Sequence, residues 1–212
     1  MKTIKIPSEG YGSNCWLAID ASGEFALIDP SPDAEVIAAR IARRELDIKN
    51  LKYILLTHGH FDHITGADGL RDISGAPLCV HEDDADCLTT DKNEYKYFFR
   101  ESLRLRPAER ILHDGDVLPV GGSSIRVIHT PGHTKGSVCY VTDNAVYSGD
   151  TLFDCSIGRT DLTGGSLGGL RDSLKKLCAL DPSLSLYPGH GSISTMAKQF
   201  EFNPYLKGML KK

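Results

Sequence analysis

The chain has no long apolar run, no strong excess of either charge and no cysteine pair at motif spacing. Each absence excludes a class of function. No apolar stretch approaches the ~20 residues that a membrane-spanning helix needs, and the N-terminus "MKTIKIPSEGYG" lacks the apolar core of a secretory signal. The expected compartment is therefore the cytoplasm, with no membrane partner. The formal net charge is −4, and the longest run of like charges is Glu82, Asp83 and Asp84. The basic stripe that a nucleic-acid partner calls for is missing. The six cysteines, Cys15, Cys79, Cys87, Cys139, Cys155 and Cys178, form no Cys-x-x-Cys pair, which excludes a zinc ribbon and a thioredoxin motif. Several lie among apolar neighbours, so buried reduced thiols are expected rather than disulfides.

What is present is an alternation of short apolar runs with helical patterns. At 212 residues the chain fits one compact domain, 1–212, which buries roughly 70% of its unfolded surface. "NCWLAID" and "EFALID", separated by Ala21, Ser22 and Gly23, read as a hairpin. In "PSPDAEVIAARIARREL", Ser31 is a candidate cap with Pro32 at the first helical position. Ala34, Ile37, Ala38 and Ile41 then form one apolar stripe. "LKYILLT" reads as a buried strand running into His58. The second half is similar in outline. "SSIRVIHT", "SVCYVTD" and "AVYSGD" read as strands, and Leu167, Leu170, Leu174 and Leu177 are helically spaced. "LSLYPGH" is a strand ending in a histidine, and "STMAKQFEFNPYLKGMLKK" can make a terminal helix. This coarse duplication predicts two sheets face to face with helices outside, bringing "LLTHGH" and "LYPGHG" to one edge. Residues 90–110 break the rhythm. They read either as an amphipathic helix covering the core or as a flap whose Tyr95, Tyr97, Phe98, Phe99, Arg100, Arg104 and Arg106 serve a substrate.

Three of the eight histidines fall within "HGHFDH", His58 to His63. Residues i and i+2 of an extended segment share a side, so His58 and His60 can converge on one ion from a strand end. Asp62 and His63 lie where the chain turns toward a helix and aim elsewhere, which allows a second ion. Corroboration comes from His133 in "HTPGHTKGS", Asp150 in "AVYSGDT" and His190 in "LYPGHG", all at loop entries after apolar strands. Gly132 and Gly189 would let the backbone pass close to an ion. His81, His113 and His129 lie outside these positions and read as structural or surface residues.

With these positions the chain resembles the metallo-β-lactamase-fold hydrolases. Its His-x-His-x-Asp-His motif is met by His58, His60, Asp62 and His63; His133, Asp150 and His190 match the later ligand positions, and Asp29 in "LIDP" matches an early aspartate. The resemblance implies an α/β fold, a four-layer αββα sandwich with the site along one edge. It assigns one divalent ion to His58, His60 and His133 and a second to Asp62, His63 and His190. Asp150 would bridge the ions, and Asp29 would orient the ligand loop. Zinc is the expected metal, with iron and manganese suited to the same ligands. Two divalent ions against Asp62, Asp150 and a hydroxide leave a net positive centre. Such a centre makes hydroxide available near neutral pH and favours an oxyanion.

Asp150 stands where β-lactamases lack a bridging aspartate, and His60 where diiron electron-transfer relatives carry glutamate. "SGDTLFDCSIGRTDLTGG" and "FNPYL" are most similar to short glyoxalase II-like proteins. The resemblance implies a thioester substrate such as S-lactoylglutathione, attacked by metal-bound hydroxide, with Asp62 and Asp150 as catalytic carboxylates. It also implies that the C-terminal helical domain of full-length glyoxalase II, which contacts glutathione, is absent. Arg159 pairs with Asp161 or meets a substrate carboxylate; Lys135 and Tyr97 are further candidate substrate contacts. "IGRTD" is also similar to sulfur dioxygenases of this fold. These act on glutathione persulfide with one iron, held at the positions of His58, His133 and Asp150. Hydrolysis of another small ester, lactone or phosphodiester is a further alternative.

Overall fold

The computed structural model describes residues 1–8, 10 and 12–207. The first half forms β1 (Lys2–Ile6), β2 (Cys15–Ile19), β3 (Phe25–Ile28), α1 (Ala34–Ala42), β4 (Leu51–Leu55), α2 (Phe61–Ile64), α3 (Ala67–Ser74), β5 (Leu78–His81), α4 (Tyr95–Phe99) and β6 (Arg110–Leu112). Its six strands form one sheet in sequence order. β1, β2 and β3 are antiparallel, while β3 through β6 run parallel. The second half forms β7 (Val117–Val120), β8 (Ser123–His129), β9 (Val138–Val141), β10 (Ala145–Gly149), a small hairpin of β11 (Leu152–Phe153) and β12 (Ser156–Ile157), α5 (Leu167–Leu177), β13 (Ser185–Pro188), β14 (Ser194–Thr195) and α6 (Met196–Phe202). Its sheet is ordered β14-β13-β10-β9-β8-β7, with β10 and β13 parallel.

Side-chain alternation along a strand sends successive residues to opposite faces, and here both faces are buried. In β2, Cys15, Leu17 and Ile19 pack outward against α1 and α3, where Ile37, Ile41 and Leu70 meet them. Trp16 and Ala18 face inward, joining Ile28 and Leu55 of the same sheet and Val127, Val138, Tyr140 and Tyr147 of the other. Beyond the second sheet, Ile128, Cys139, Val141, Val146 and Leu186 pack against Leu170, Leu174 and Leu177 of α5 and Met196 of α6. The result is the expected helix–sheet–sheet–helix sandwich. All six cysteines are free thiols, four of them buried.

Four local expectations are corrected. α1 begins at Ala34 with Asp33 at its N-cap, and neither Ser31 nor Asp33 makes a side-chain cap bond. Residues 29–32 are instead used in a turn: Ser31 N donates to the Asp29 carbonyl and Gly66 N to that of Pro30. Leu167 opens α5 but is 65% exposed, since the first turn overhangs the core, whereas Leu174 is 1% exposed. The terminal helix stops at Phe202 because Pro204 disfavours helical geometry at Asn203; residues 208–212 lie outside the described residues. Residues 90–110 do not form a core-covering helix. They contain a single turn of 3-10 helix and the five-residue α4, bounded by left-handed Glu94 and Arg100.

Leu174→Ala should cost about 2–5 kcal/mol of unfolding free energy through the cavity it leaves. Leu167→Ala should change stability by no more than about 0.5 kcal/mol. Urea melts followed by circular dichroism would check the contrast.

Candidate metal centre and its cavity

The strand ends of both sheets deliver seven polar side chains to one edge of the sandwich. β4 ends at Leu55, and the chain enters His58 three residues later. His60 is the N-cap of α2, so Asp62 and His63 occupy the first turn of that helix. His133 follows β8, Asp150 follows β10 and His190 follows β13. His58, His60, His63 and His133 are buried, and the Asp62, Asp150 and His190 side chains open partly to solvent.

Three overlapping sets, His58–His60–His133, His58–His63–Asp150 and Asp62–His63–His190, each place one donor atom per residue within 4.8 Å of the others. His60 Nδ1 lies 2.9 Å from His133 Nε2. Asp62 Oδ2 is 3.0 Å from His190 Nε2 and 3.7 Å from His63 Nε2. Asp150 spans the two groups: Oδ1 is 3.4 Å from His63 Nε2, and Oδ2 is 3.6 Å from His133 Nε2 and 3.7 Å from His190 Nε2.

Hydrogen bonds behind the rings determine which nitrogen faces inward. A carbonyl only accepts, so His133 Nδ1 must donate to the Arg159 carbonyl, 2.8 Å away. That leaves Nε2 with its lone pair directed at the cluster. His63 Nδ1 is 2.9 Å from Asp29 Oδ2. Thr57 donates its hydroxyl to the same oxygen, leaving its own lone pairs to accept from His58 Nδ1 at 3.1 Å. Such outer partners orient metal-binding imidazoles. Asp29 Oδ2 thus stands directly behind the His63 ring and, through Thr57, behind that of His58.

His58 Nε2, His60 Nε2, His63 Nε2 and Asp150 Oδ1 are buried without a hydrogen-bond partner. Leaving a buried polar atom unpaired costs about 1–3 kcal/mol, so four of them converging on one volume fit a cation. Burial holds His58 well below the usual imidazole range and brings His60 down to about 3. Both are therefore neutral near pH 7, the form that binds metal. Burial alone would raise Asp62 and Asp150, but the surrounding histidines outweigh it and hold both carboxyls low and ionised. For His63 and His190 burial works downward, yet the neighbouring carboxylates prevail and raise both. Cationic charge at this edge is thus favoured by Asp29, Asp62 and Asp150.

At Gly189 an added Cβ would stand 2.2 Å from Asp150 Oδ1, so the backbone passes close to a candidate ligand rather than to open space. Gly132 is needed for a different reason, since a Cβ there would strike the backbone of Leu170 in α5. Arg159 lines the cavity above the cluster, but its Nε and Nη2 are both held by Asp161 at 2.7 Å, the loop-ordering arrangement. Tyr97 is 75% exposed and stands outside the lining residues, and Lys135 borders a separate small pocket. His81 and His129 stack at 3.9 Å beside Asp83, with their near nitrogens already engaged by Asp83 N and the Lys135 carbonyl. With Asp83 they form a fourth set whose donor atoms lie within 4.8 Å of one another, apart from the three that overlap.

Sequence reading missed Asp84 and Asn14. Asp84 looked like part of a solvated acidic run, yet it is buried and accepts from Gly59 N, Gly136 N and the Thr134 hydroxyl at 2.7–2.9 Å. It joins the His58–His60 loop to the His133 loop, and burial raises its pKa. Asn14 donates to the Pro188 and Gly191 carbonyls and so holds the His190 turn. A polar residue at the mouth of the apolar strand "CWLAI" was the available signal for Asn14; Asp84 carries none.

A model of the metallo-beta-lactamase superfamily matches residues 9–190. The chain belongs to that superfamily. Among the superfamily's curated proteins it is 39% identical to an uncharacterised protein of Mycobacterium leprae, over 92% of this chain and 94% of that one. It is 32% identical to the hydroxyacylglutathione hydrolase GloC of Haemophilus influenzae, over 95% and 96%. Among solved structures it is similar to the BLEG-1 B3 metallo-beta-lactamase, with TM-score 0.90, 32% identity and coverage of 98% and 100%. It is also similar to TTHA1623 in a di-iron-bound form, with TM-score 0.81, 30% identity and coverage of 96% and 100%. For ETHE1 from Myxococcus xanthus the TM-score is 0.78, the identity 27% and the coverage 98% and 85%. The superfamily makes this chain a metallo-hydrolase with candidate His and Asp metal sites. No helix of the described residues is long and apolar enough to cross a membrane.

Asp29→Ala should weaken zinc binding by ~10–100-fold, the usual effect of removing an orienting partner. Competition with a chromophoric chelator would measure it, and unchanged affinity would refute the orienting role.

Proposed function

We propose that the protein is a dinuclear metal-dependent hydrolase that cleaves a small thioester, of which S-lactoylglutathione is the reference case. The carrying observation is the convergence of four unpartnered buried polar atoms where the three donor sets overlap. His58, His60 and His133 would hold one ion, Asp62, His63 and His190 the other, with Asp150 shared between them. When bound, two divalent ions supply an electrophilic centre that acidifies water and stabilises an oxyanion. The likeness to GloC supports a thioester substrate; zinc, iron and manganese all suit the donors.

The chain's own residues supply positioning and proton handling. Asp29, Thr57 and the Arg159 carbonyl hold His63, His58 and His133 in the tautomer that presents Nε2. Asp62 stands at the cavity wall with Oδ2 against His190 Nε2. From there it can accept the proton released as water adds to the acyl carbon. The thiolate then leaves into the open side of the cavity.

A second reading has specific support. His58, His133 and Asp150 form a two-histidine, one-carboxylate subset of the kind used by iron oxygenases, and the "IGRTD" segment supplies the carbonyl that holds His133. The ETHE1 likeness agrees with this reading as well as with the first. It would make the protein a mononuclear iron dioxygenase of glutathione persulfide. The likeness to a B3 metallo-beta-lactamase also means that Asp150 alone does not set β-lactams aside, so they belong in the assay.

Protein loaded with zinc, iron or manganese should hold two ions per chain by plasma emission spectrometry and hydrolyse an acyl-glutathione thioester. Asp150→Ala should remove at least one ion and lower kcat by at least ~100-fold, as expected when a central electrostatic group is lost. Two bound ions without turnover of any thioester would overturn the substrate claim. Oxygen uptake with glutathione persulfide would favour the second reading, and nitrocefin cleavage the third.

A further inference from the structure

The cavity above the candidate centre has a volume of about 850 Å³, within the range of small-molecule sites. Its floor is polar: His60, Asp62, His133, Asp150 and His190. Its walls are not. Phe61, Phe98 and Phe99 form one side, and Phe153, Ile157 and Leu162 line it from the β11–β12 hairpin and the loop that follows.

The first wall is built from the ligand segment itself. Phe61 lies between His60 and Asp62, and its ring meets those of Tyr95, Phe98 and Phe99 at 5.4–5.6 Å between centroids. α4 is set over it by left-handed backbone at Glu94 and Arg100, a conformation that non-glycine residues adopt at a cost. Glu94 also accepts from Thr163 N and so ties α4 to the loop carrying Leu162. Phe98 and Phe99 nevertheless remain 48% and 40% exposed. Two aromatic side chains are thus held against water at the mouth of a reactive site, an arrangement that marks a binding surface.

Charge points the same way. Among the described lining residues the histidines belong to the centre, and Arg159 is the one further cation. Asp161 occupies its Nε and Nη2 and offsets its charge, so only the Nη1 end of the guanidinium is left for a substrate carboxylate. The Glu94 carboxylate lines the same space. Glutathione brings two carboxylates and one ammonium, and beyond the centre the described lining offers its two carboxylates a single guanidinium, already paired on one side, so enclosing both would cost free energy.

We infer that the substrate is a thioester carrying a bulky apolar group, aromatic or branched, on a thiol of low charge, in contact with Phe61, Phe98 and Phe153. This rests on the hydrolase reading above and narrows its substrate class away from the glutathione thioester with its two carboxylates. Because Phe61 borders His60 and Asp62, that group would hold the acyl carbon over the polar floor.

The test has two independent parts. In the first, the metal-loaded protein is given S-phenylacetyl-N-acetylcysteamine and S-lactoylglutathione. The apolar thioester should have a kcat/KM at least ~10-fold higher, the worth of burying part of one aromatic group. Phe98→Ala should compress that ratio, and a ratio taken on one preparation is independent of the fraction folded. An equal or reversed preference in the parent protein overturns the inference, as does a ratio unmoved by Phe98→Ala. The second part measures binding without turnover by calorimetry. S-phenethyl-N-acetylcysteamine, an uncleavable uncharged thioether, should bind at least ~10-fold tighter than S-methylglutathione on the same burial argument. If the thioether binds so and no thioester is cleaved, the hydrolase reading fails and the pocket assignment stands. If thioesters are cleaved but S-methylglutathione binds as well or better, the pocket assignment fails alone.

Discussion

The carboxylate of Asp29 is the joint between the fold and its candidate centre. Its backbone is left-handed, with φ of 54°, a conformation aspartate tolerates better than most residues. That twist turns the chain away from β3 and points the side chain across to the end of β4. Oδ1 accepts Thr57 N at 2.8 Å, while Oδ2 accepts both the Thr57 hydroxyl and His63 Nδ1. One group thereby ends a strand, sets the tautomer of His63 and, through Thr57, sets that of His58. Remove it, and two imidazoles that must present Nε2 would be free to rotate or exchange their proton sites.

The same device recurs around the edge. The His58–His60, His133 and His190 loops are held by buried side chains that bond their backbone, because loops leaving a sheet edge have no ladder partners of their own. Asp84 serves the His58–His60 and His133 loops together, Asn14 serves the His190 turn, and the Arg159 carbonyl serves the His133 ring. Tyr140 reaches across from the second sheet to the Leu56 carbonyl at 2.6 Å. The two halves are thus stitched together beside the centre as well as through their common core.

Much of this was legible in the sequence because it is periodic or repeated. Strand runs buried on both faces, the amphipathic α1 and α5, and ligand-type residues after strands all have local signatures. The candidate ligands could be named because strand ends in such a sandwich share one edge. What stayed hidden depends on contacts distant in sequence. Asp84 is 25 residues from Gly59 and 52 from Gly136, and nothing in "EDDAD" separates the buried carboxylate from its solvated neighbours. The aromatic cluster at 95–99 was visible, but its role was not, since a helix facing the core and a flap facing a cavity share the same composition. Lys135 and Tyr97 were plausible by residue type alone; neither is among the residues that line the cavity.

The segment "HGHFDH" therefore carries two patterns at once. Positions 58, 60, 62 and 63 face the candidate ions, and Phe61 faces Tyr95, Phe98 and Phe99. Since His60 caps the short helix that Phe61 begins, the apolar wall and the donor atoms share one rigid turn. A change at Phe61 would disturb both. Changes at Phe98 or Phe99 would not, because α4 is joined to the ligand segment through ring contacts and to the opposite loop through Glu94 and Thr163. The floor is fixed by buried hydrogen bonds, and of the wall only Phe61 shares its turn, whereas Phe98 and Phe99 stand on a separate element.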